Sequence, residues 1–259
     1  MTAKTVKILS AVLASVILLT AILLIINKVT AVEDDDAVLT VSGEPVSKAE
    51  YLFIMSGLKS DVYSYFVNKY GAEENHDFWT ESFSGEVPSA ILRKKAFDTL
   101  KKIKTEQSLM KKYEIAEDIS FRGFLKDLKA ENERRKNAAS LDQPIYGPLQ
   151  FEERVYYEYL HSERVQKLIR VLAGTYLMVS NDEINAYLAG LNGTQGDKEN
   201  SAAPDEDKEV IIKELTLRKY EDLISGLSGN STVALRINNT SLNKIEREIF
   251  IFQYGKDRD

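Results

Sequence analysis

Cysteine is absent from the 259 residues, and histidine occurs only at His76 and His161. The first absence excludes disulfides, thiolate metal sites, a thiol nucleophile and a lipid-modified N-terminal cysteine. The second leaves a histidine-rich metal site without support. No stretch resembles a Gly-rich phosphate loop, a G-x-S-x-G elbow or an H-E-x-x-H helix, so the common enzyme motifs and the cofactors they hold are missing. Acidic residues are many but unclustered: Glu73-Glu74 and Glu152-Glu153 are adjacent pairs, which on a helix point about 100° apart and suit solvent better than acid–base chemistry. With 34 basic against 40 acidic residues the net charge is -6, which argues against a nucleic-acid partner.

Charge is also absent from Ile8 to Ile26, where Ser10, Ser15 and Thr20 are the only polar residues among Leu, Ile, Val and Ala. As a helix this run spans roughly 28 Å, the thickness of a bilayer core. Lys4 and Lys7 precede it and Glu33 to Asp36 follow it, which predicts a cytoplasmic N-terminus and an exported remainder. Residues 1–7 read as a cytoplasmic tail, 8–27 as a single-pass membrane anchor and 28–37 as a linker. The competing reading is a signal peptide cleaved after Val29-Thr30-Ala31, which would leave a secreted protein.

The remainder reads as mainly α. Val38 to Val41 and the turn Ser42-Gly43-Glu44-Pro45 predict a short strand and a tight turn. Ser47 and Glu50 have capping-box spacing, so a helix is expected from there to about Tyr70. Tyr51, Ile54, Met55, Leu58, Val62, Tyr65 and Phe66 share one stripe of it, while Leu52, Tyr63, Val67 and Tyr70 form a second about 120° away. Residues 72–87 read as an irregular connection carrying Phe78, Trp79 and Phe83. A second helix is expected from Pro88 to Tyr113, with its lysines, Lys104 among them, on a solvated face balanced by acids of neighbouring helices. A third, capped by Asp118, covers about 119–138. Residues 141–149, with Pro144, Gly147 and Pro148, break the pattern, and a long helix resumes over 151–172. There Tyr156, Tyr159 and Leu160 lie off the main apolar stripe.

Ser180 and Glu183 repeat the capping-box spacing and predict a short helix. The first folded unit is thus placed at 38–190, followed by a flexible linker at 191–208, poor in large apolar residues. Residues 209–259 are expected to form a small α/β element with strands at 209–217, 233–237 and 248–254 and a short helix at 218–226.

The run Val41-Ser42-Gly43-Glu44-Pro45-Val46-Ser47-Lys48-Ala49-Glu50-Tyr51 resembles the opening of the chaperone domain in SurA- and PrsA-type peptidyl-prolyl isomerases, where V-N-G-E-x-I-[ST]-x-x-E-[FY] is usual and Ser42 stands in place of Asn. The resemblance continues through Lys104 to Met110, Lys112-Tyr113-Glu114-Ile115 and Val179-Ser180-Asn181-Asp182-Glu183-Ile184, covering about 38–188. It implies an extracytoplasmic foldase whose helical domain clasps unfolded or nascent exported proteins without a cofactor. The parvulin domain that performs proline isomerisation in that family would bring a pair of core histidines, an acidic or thiol residue and Gly-rich turns, none of which stands after Leu172. The alternatives are a divergent isomerase that keeps a shrunken domain at 209–254, and a non-catalytic assembly protein with one fixed envelope partner.

For an apolar client the candidate binding residues are those of the doubled faces: Leu52, Tyr63, Val67, Tyr70, Tyr156, Tyr159 and Leu160. Tyrosine supplies apolar area together with a hydroxyl that tolerates water. The competing reading packs the same residues on the segment at Phe78 to Phe83 or on the C-terminal sheet.

Overall fold

A computed structural model describes residues 37–73, 75–192 and 205–251. Strand β1 (Ala37–Val41) turns back into β2 (Glu44–Ser47) through Ser42 and Gly43, which have φ of 49° and 90°. Positive φ at both central positions is the signature of a type I′ turn, whose twist matches a β-hairpin and which only Gly adopts without steric cost. Helix α1 (Lys48–Tyr70) begins on Ser47, whose Oγ accepts from the Glu50 N–H at 3.2 Å, and ends on Gly71 in the left-handed conformation, φ 63°. Helices α2 (Pro88–Lys112), α3 (Phe121–Ser140), α4 (Glu153–Ala173) and α5 (Asn181–Asn192) follow within a few residues of where periodicity and capping predict them. Helix α3 starts on Ser120 rather than Asp118, which instead accepts the Ser120 N–H at 2.9 Å.

The capping box is complete at α5, where Ser180 Oγ accepts the Glu183 N–H at 3.3 Å and the Glu183 carboxylate accepts the Ser180 N–H at 2.8 Å. At α1 only half of it forms. Glu50 turns inward, and its Oε1 lies 2.8 Å from Nζ of Lys104, with both side chains at most 3% exposed. Lys104 is therefore a core residue, and it is the one lysine of α2 that finds an ion-pair partner among the described residues. Burial raises the pKa of the Glu50 carboxyl, against the pull of the ammonium.

The C-terminal part departs from its sequence reading. Residues expected as a strand and a short helix are one continuous helix, α6 (Asp205–Gly229), with Ile211, Tyr220 and Ile224 on its buried side. Only β3 (Val233–Leu235) is a strand, and Ile249–Ile251 end helix α7 (Asn239–Ile251) instead of forming another. Nor is this a separate α/β element: β3 pairs antiparallel with β1, giving one sheet of order β2-β1-β3. The shrunken parvulin sheet therefore has no counterpart among the described residues. Helices α5 and α6 extend into the expected 191–208 linker from both sides, and residues 193–204 lie outside the described part. The apolar run at 8–27, with its anchor and signal-peptide readings, also lies outside it. Among the described residues no helix is long and apolar enough to cross a membrane, so the fold is a helical body with a three-stranded sheet and no spanning helix as part of it.

Helix α7 closes the structure by returning to α1. Trp79 stacks on Phe250 at 5.0 Å, Lys59 donates to the Ile249 carbonyl at 2.9 Å, and the buried Glu246 accepts from Tyr51 Oη at 2.5 Å and from Arg93 Nε at 2.8 Å. Burial and the Glu246 carboxylate hold the Tyr51 phenol above its usual pKa, so it stays a donor. Removing a partner from a buried charged network typically costs about 3–5 kcal/mol. Glu246→Ala is expected to lower the free energy of urea unfolding by roughly that amount and to speed hydrogen exchange in α7 before the rest of the chain. Unfolding and exchange identical to wild type would show that the tie contributes nothing.

Candidate functional site

The seven residues singled out from the doubled faces form two clusters. On α1, Leu52, Tyr63, Val67 and Tyr70 are half-buried. Tyr63 packs edge-on against Phe78 at 5.2 Å, and Tyr70 stacks on Phe83 at 6.0 Å. Tyr70 also donates to Glu86 Oε2 at 2.9 Å, alongside Tyr65 at 2.8 Å and Lys69 at 3.2 Å. These bonds, those of Tyr65 and Tyr70 first, hold the Glu86 carboxyl below its usual pKa. Residues 75–87 thus form an aromatic hook over the second stripe of α1, and Tyr63 and Tyr70 serve the core there.

The second cluster lies on α4. Tyr156 is buried between Phe124 at 6.1 Å and Phe151 at 5.3 Å. Tyr159 stacks on Phe151 at 5.8 Å and remains 56% exposed. Leu160 lines a small cleft with Glu50, Gln107, Phe121, Phe124 and His161. Beneath it Glu106 has both carboxylate oxygens occupied, by His161 Nε2 at 2.9 Å and by Tyr220 Oη at 2.9 Å. Helices α2, α4 and α6 meet at this tie, which makes His161 a half-buried packing residue. No group of three or more His, Cys, Asp or Glu that could hold a metal ion occurs among the described residues.

The α4 cluster belongs to an arm that α3 and α4 form together. At its base Phe121 and Phe124 of α3 pack on Phe53 of α1 at 5.2 and 6.3 Å. A Cβ at Gly123 would come within 2.3 Å of the Asp118 carboxylate, so a larger residue at this base needs that exposed side chain to move aside. Farther out, the turn between the two helices is pinned from below by two side chains of α3. Arg135, only 7% exposed, donates to the carbonyls of Tyr146 and Pro148 at 2.9 and 2.7 Å and lies 4.3 Å over the Phe151 ring. Asn132 brackets the Phe151 peptide, donating to its carbonyl at 3.0 Å and accepting its N–H at 2.8 Å. Glu131 orients Arg135 through its Nε at 2.8 Å, and hydrogen bonds from Arg134 and then Arg135 hold its carboxyl below the usual pKa.

On this fixed backbone Leu141, Tyr146 and Leu149 project outward, at 68, 88 and 64% exposure, with Val155 and Tyr159 beside them on α4. Large apolar side chains on a pinned, protruding turn are a contact surface in waiting. Sequence reading passed over them because 141–149 breaks helical periodicity; three large apolar or aromatic residues inside a Pro- and Gly-bearing loop were the signal available. One guanidinium nitrogen, Arg135 Nη1, donates to both carbonyls and holds the turn. Arg135→Ala is expected to cost about 2–3 kcal/mol, with two carbonyls losing their donor and Phe151 its cover. Arg135→Lys should recover only part of it, since an ammonium could reach the two carbonyls but loses the Nε bond to Glu131 and the planar cover of Phe151. Denaturant unfolding with hydrogen exchange over 141–152 measures both, and exchange there unaltered in Arg135→Ala would refute the clamp.

The chain matches no family model, and no solved structure matches it. Among curated proteins it is 23% identical over 197 residues to a chaperone for lacto-N-biosidase from Bifidobacterium longum subsp. longum, a match that covers 75% of this chain and 70% of that protein. This distant likeness supports a chaperone-like role and a client protein as partner, and it does not bear on the SurA/PrsA foldases in particular.

Proposed function

We propose that this chain is a chaperone-like protein that binds client polypeptide through the apolar tip of the α3–α4 arm. The observation that carries the reading is the exposure of Leu141, Tyr146 and Leu149 on a turn whose backbone Arg135 and Asn132 hold in place. A pinned turn loses little conformational freedom on binding, so the apolar area it buries goes into affinity. The distant likeness to a chaperone supports the same role. The clients we infer are exported polypeptides not yet folded. Support for that class comes from sequence alone: the uncharged run from Ile8 to Ile26, with lysines before it and acids after it.

Aggregation of a reduced, unfolding protein, followed by light scattering, tests the reading. The full chain is expected to suppress aggregation near stoichiometric ratio, and Tyr146→Ser/Leu149→Ser to lose roughly fivefold or more of that effect with an unchanged melting temperature, as exposed hot-spot residues should. Tyr63→Ala serves as the contrast: it empties a core site under the hook, so its expected effect is a loss of about 3 kcal/mol of stability. If the tip variant protects as well as wild type, the arm is not the contact surface.

A further inference from the structure

We propose that the outward face of α3 is a docking track for an acidic polypeptide, continuous with the apolar tip. This rests on the client-binding reading above and specifies the chemistry of the client. Arg122, Lys126, Lys129 and Lys136 are all exposed. At 100° per residue they fall, with Glu133, within an arc of roughly 80°, and they extend over about 21 Å of helix toward Leu141 and Tyr146. Leu125, 37% exposed, flanks the row.

Glu133, four residues from Lys129 and three from Lys136, is the one acid on this face against four cations. None of the four cations has an ion-pair partner among the described residues, whereas Arg134 and Arg135 on the other side of the same helix are both held by Glu131. A solvated helix face usually alternates sign at three- and four-residue spacing. Here Arg122 and Lys126, and Lys126 and Lys129, set like charges at those spacings, each pair costing a few tenths of a kcal/mol. A chain with a net charge of -6 thus keeps four exposed cations, with Glu133 as the one acid among them, on the outward face of the arm. An external row of carboxylates relieves that repulsion and steers the encounter.

Protein fits the row better than an anionic membrane. A helix that lies on lipid needs several apolar side chains along the same side as its cations; of the large apolar residues of α3, Phe121 and Phe124 are buried against α1 and α4, and Leu125 alone borders the row. A polypeptide with carboxylates along its length and an apolar side chain at one end meets both the row and the tip.

The test uses the full chain and two disordered, labelled peptides with identical Leu and Phe residues, one carrying acidic and the other basic residues between them. By fluorescence anisotropy at low salt the acidic peptide is expected to bind roughly tenfold tighter, an advantage that shrinks severalfold in about 0.5 M salt. Lys126→Glu/Lys129→Glu/Lys136→Glu should reverse the preference with an unchanged melting temperature, and Tyr146→Ser/Leu149→Ser should weaken both peptides alike. Equal affinity for the two peptides, or a preference that survives charge reversal, overturns the track and leaves the client-binding reading standing. Binding of phosphatidylglycerol vesicles that charge reversal abolishes, without selectivity between the peptides, also overturns it and gives the row to a membrane. If neither peptide binds, the client-binding reading falls and the track with it.

Discussion

Helix α1 must be covered on two sides, and the rest of the chain is arranged to cover it. Its 23 residues place Tyr51, Phe53, Ile54, Met55, Val62 and Phe66 in the core and Tyr63 and Tyr70 on a second stripe. One neighbouring helix cannot bury both. Helix α2 takes the first side, the aromatic hook at 75–87 takes the second, and α7 comes back from the far end of the sequence to seal the hook at Trp79. The return also brings β3 to the free edge of β1, so the sheet and the last helix close together. Apolar burial of this extent is the main stabilising term available to a chain with no disulfide.

Three buried carboxylates fix how these pieces meet. Glu50 ties α1 to α2 through Lys104, Glu246 ties α7 to both through Tyr51 and Arg93, and Glu106 ties α2 to α4 and α6 through His161 and Tyr220. Such groups cost desolvation, and an apolar replacement of each set is often as stable. Each carboxylate joins partners at least 54 residues away in sequence, so each pair forms only when its helices meet in this arrangement.

What the sequence reveals and what it hides follows the same division. Local signals placed the helices well, because Ser47, Gly71, Pro88 and Ser180 act through their own backbone neighbours. Glu50 has the spacing of a capping residue, and only the position of Lys104, 54 residues away in a helix whose periodicity also suited a solvated face, shows that it turns inward. Val210-Ile211-Ile212 and Ile249-Phe250-Ile251 read as strands because short β-branched and aromatic runs are ambiguous between strand and buried helix; tertiary packing made both helical. The doubled stripes were legible as doubled, but their occupants were not. The hook that covers Tyr63 and Tyr70 has no periodicity to announce it, and the tip residues Leu141, Tyr146 and Leu149 stand in a loop whose importance comes from Arg135 and Asn132 holding it.

With α1 enclosed, the arm keeps Leu141, Tyr146 and Leu149 in the open on a backbone held by Arg135 and Asn132. Its base is part of the core, through Phe121 and Phe124, while its tip residues Leu141, Tyr146 and Leu149 are exposed. A chaperone-like role for the chain then becomes a question of where a client touches. Hydrogen exchange of the full chain, with and without a saturating unfolded protein, answers it most directly. The account predicts slowed exchange confined to residues 121–159, with the hook at 75–87 unchanged; protection over the hook and α1, with the arm unaltered, would contradict it.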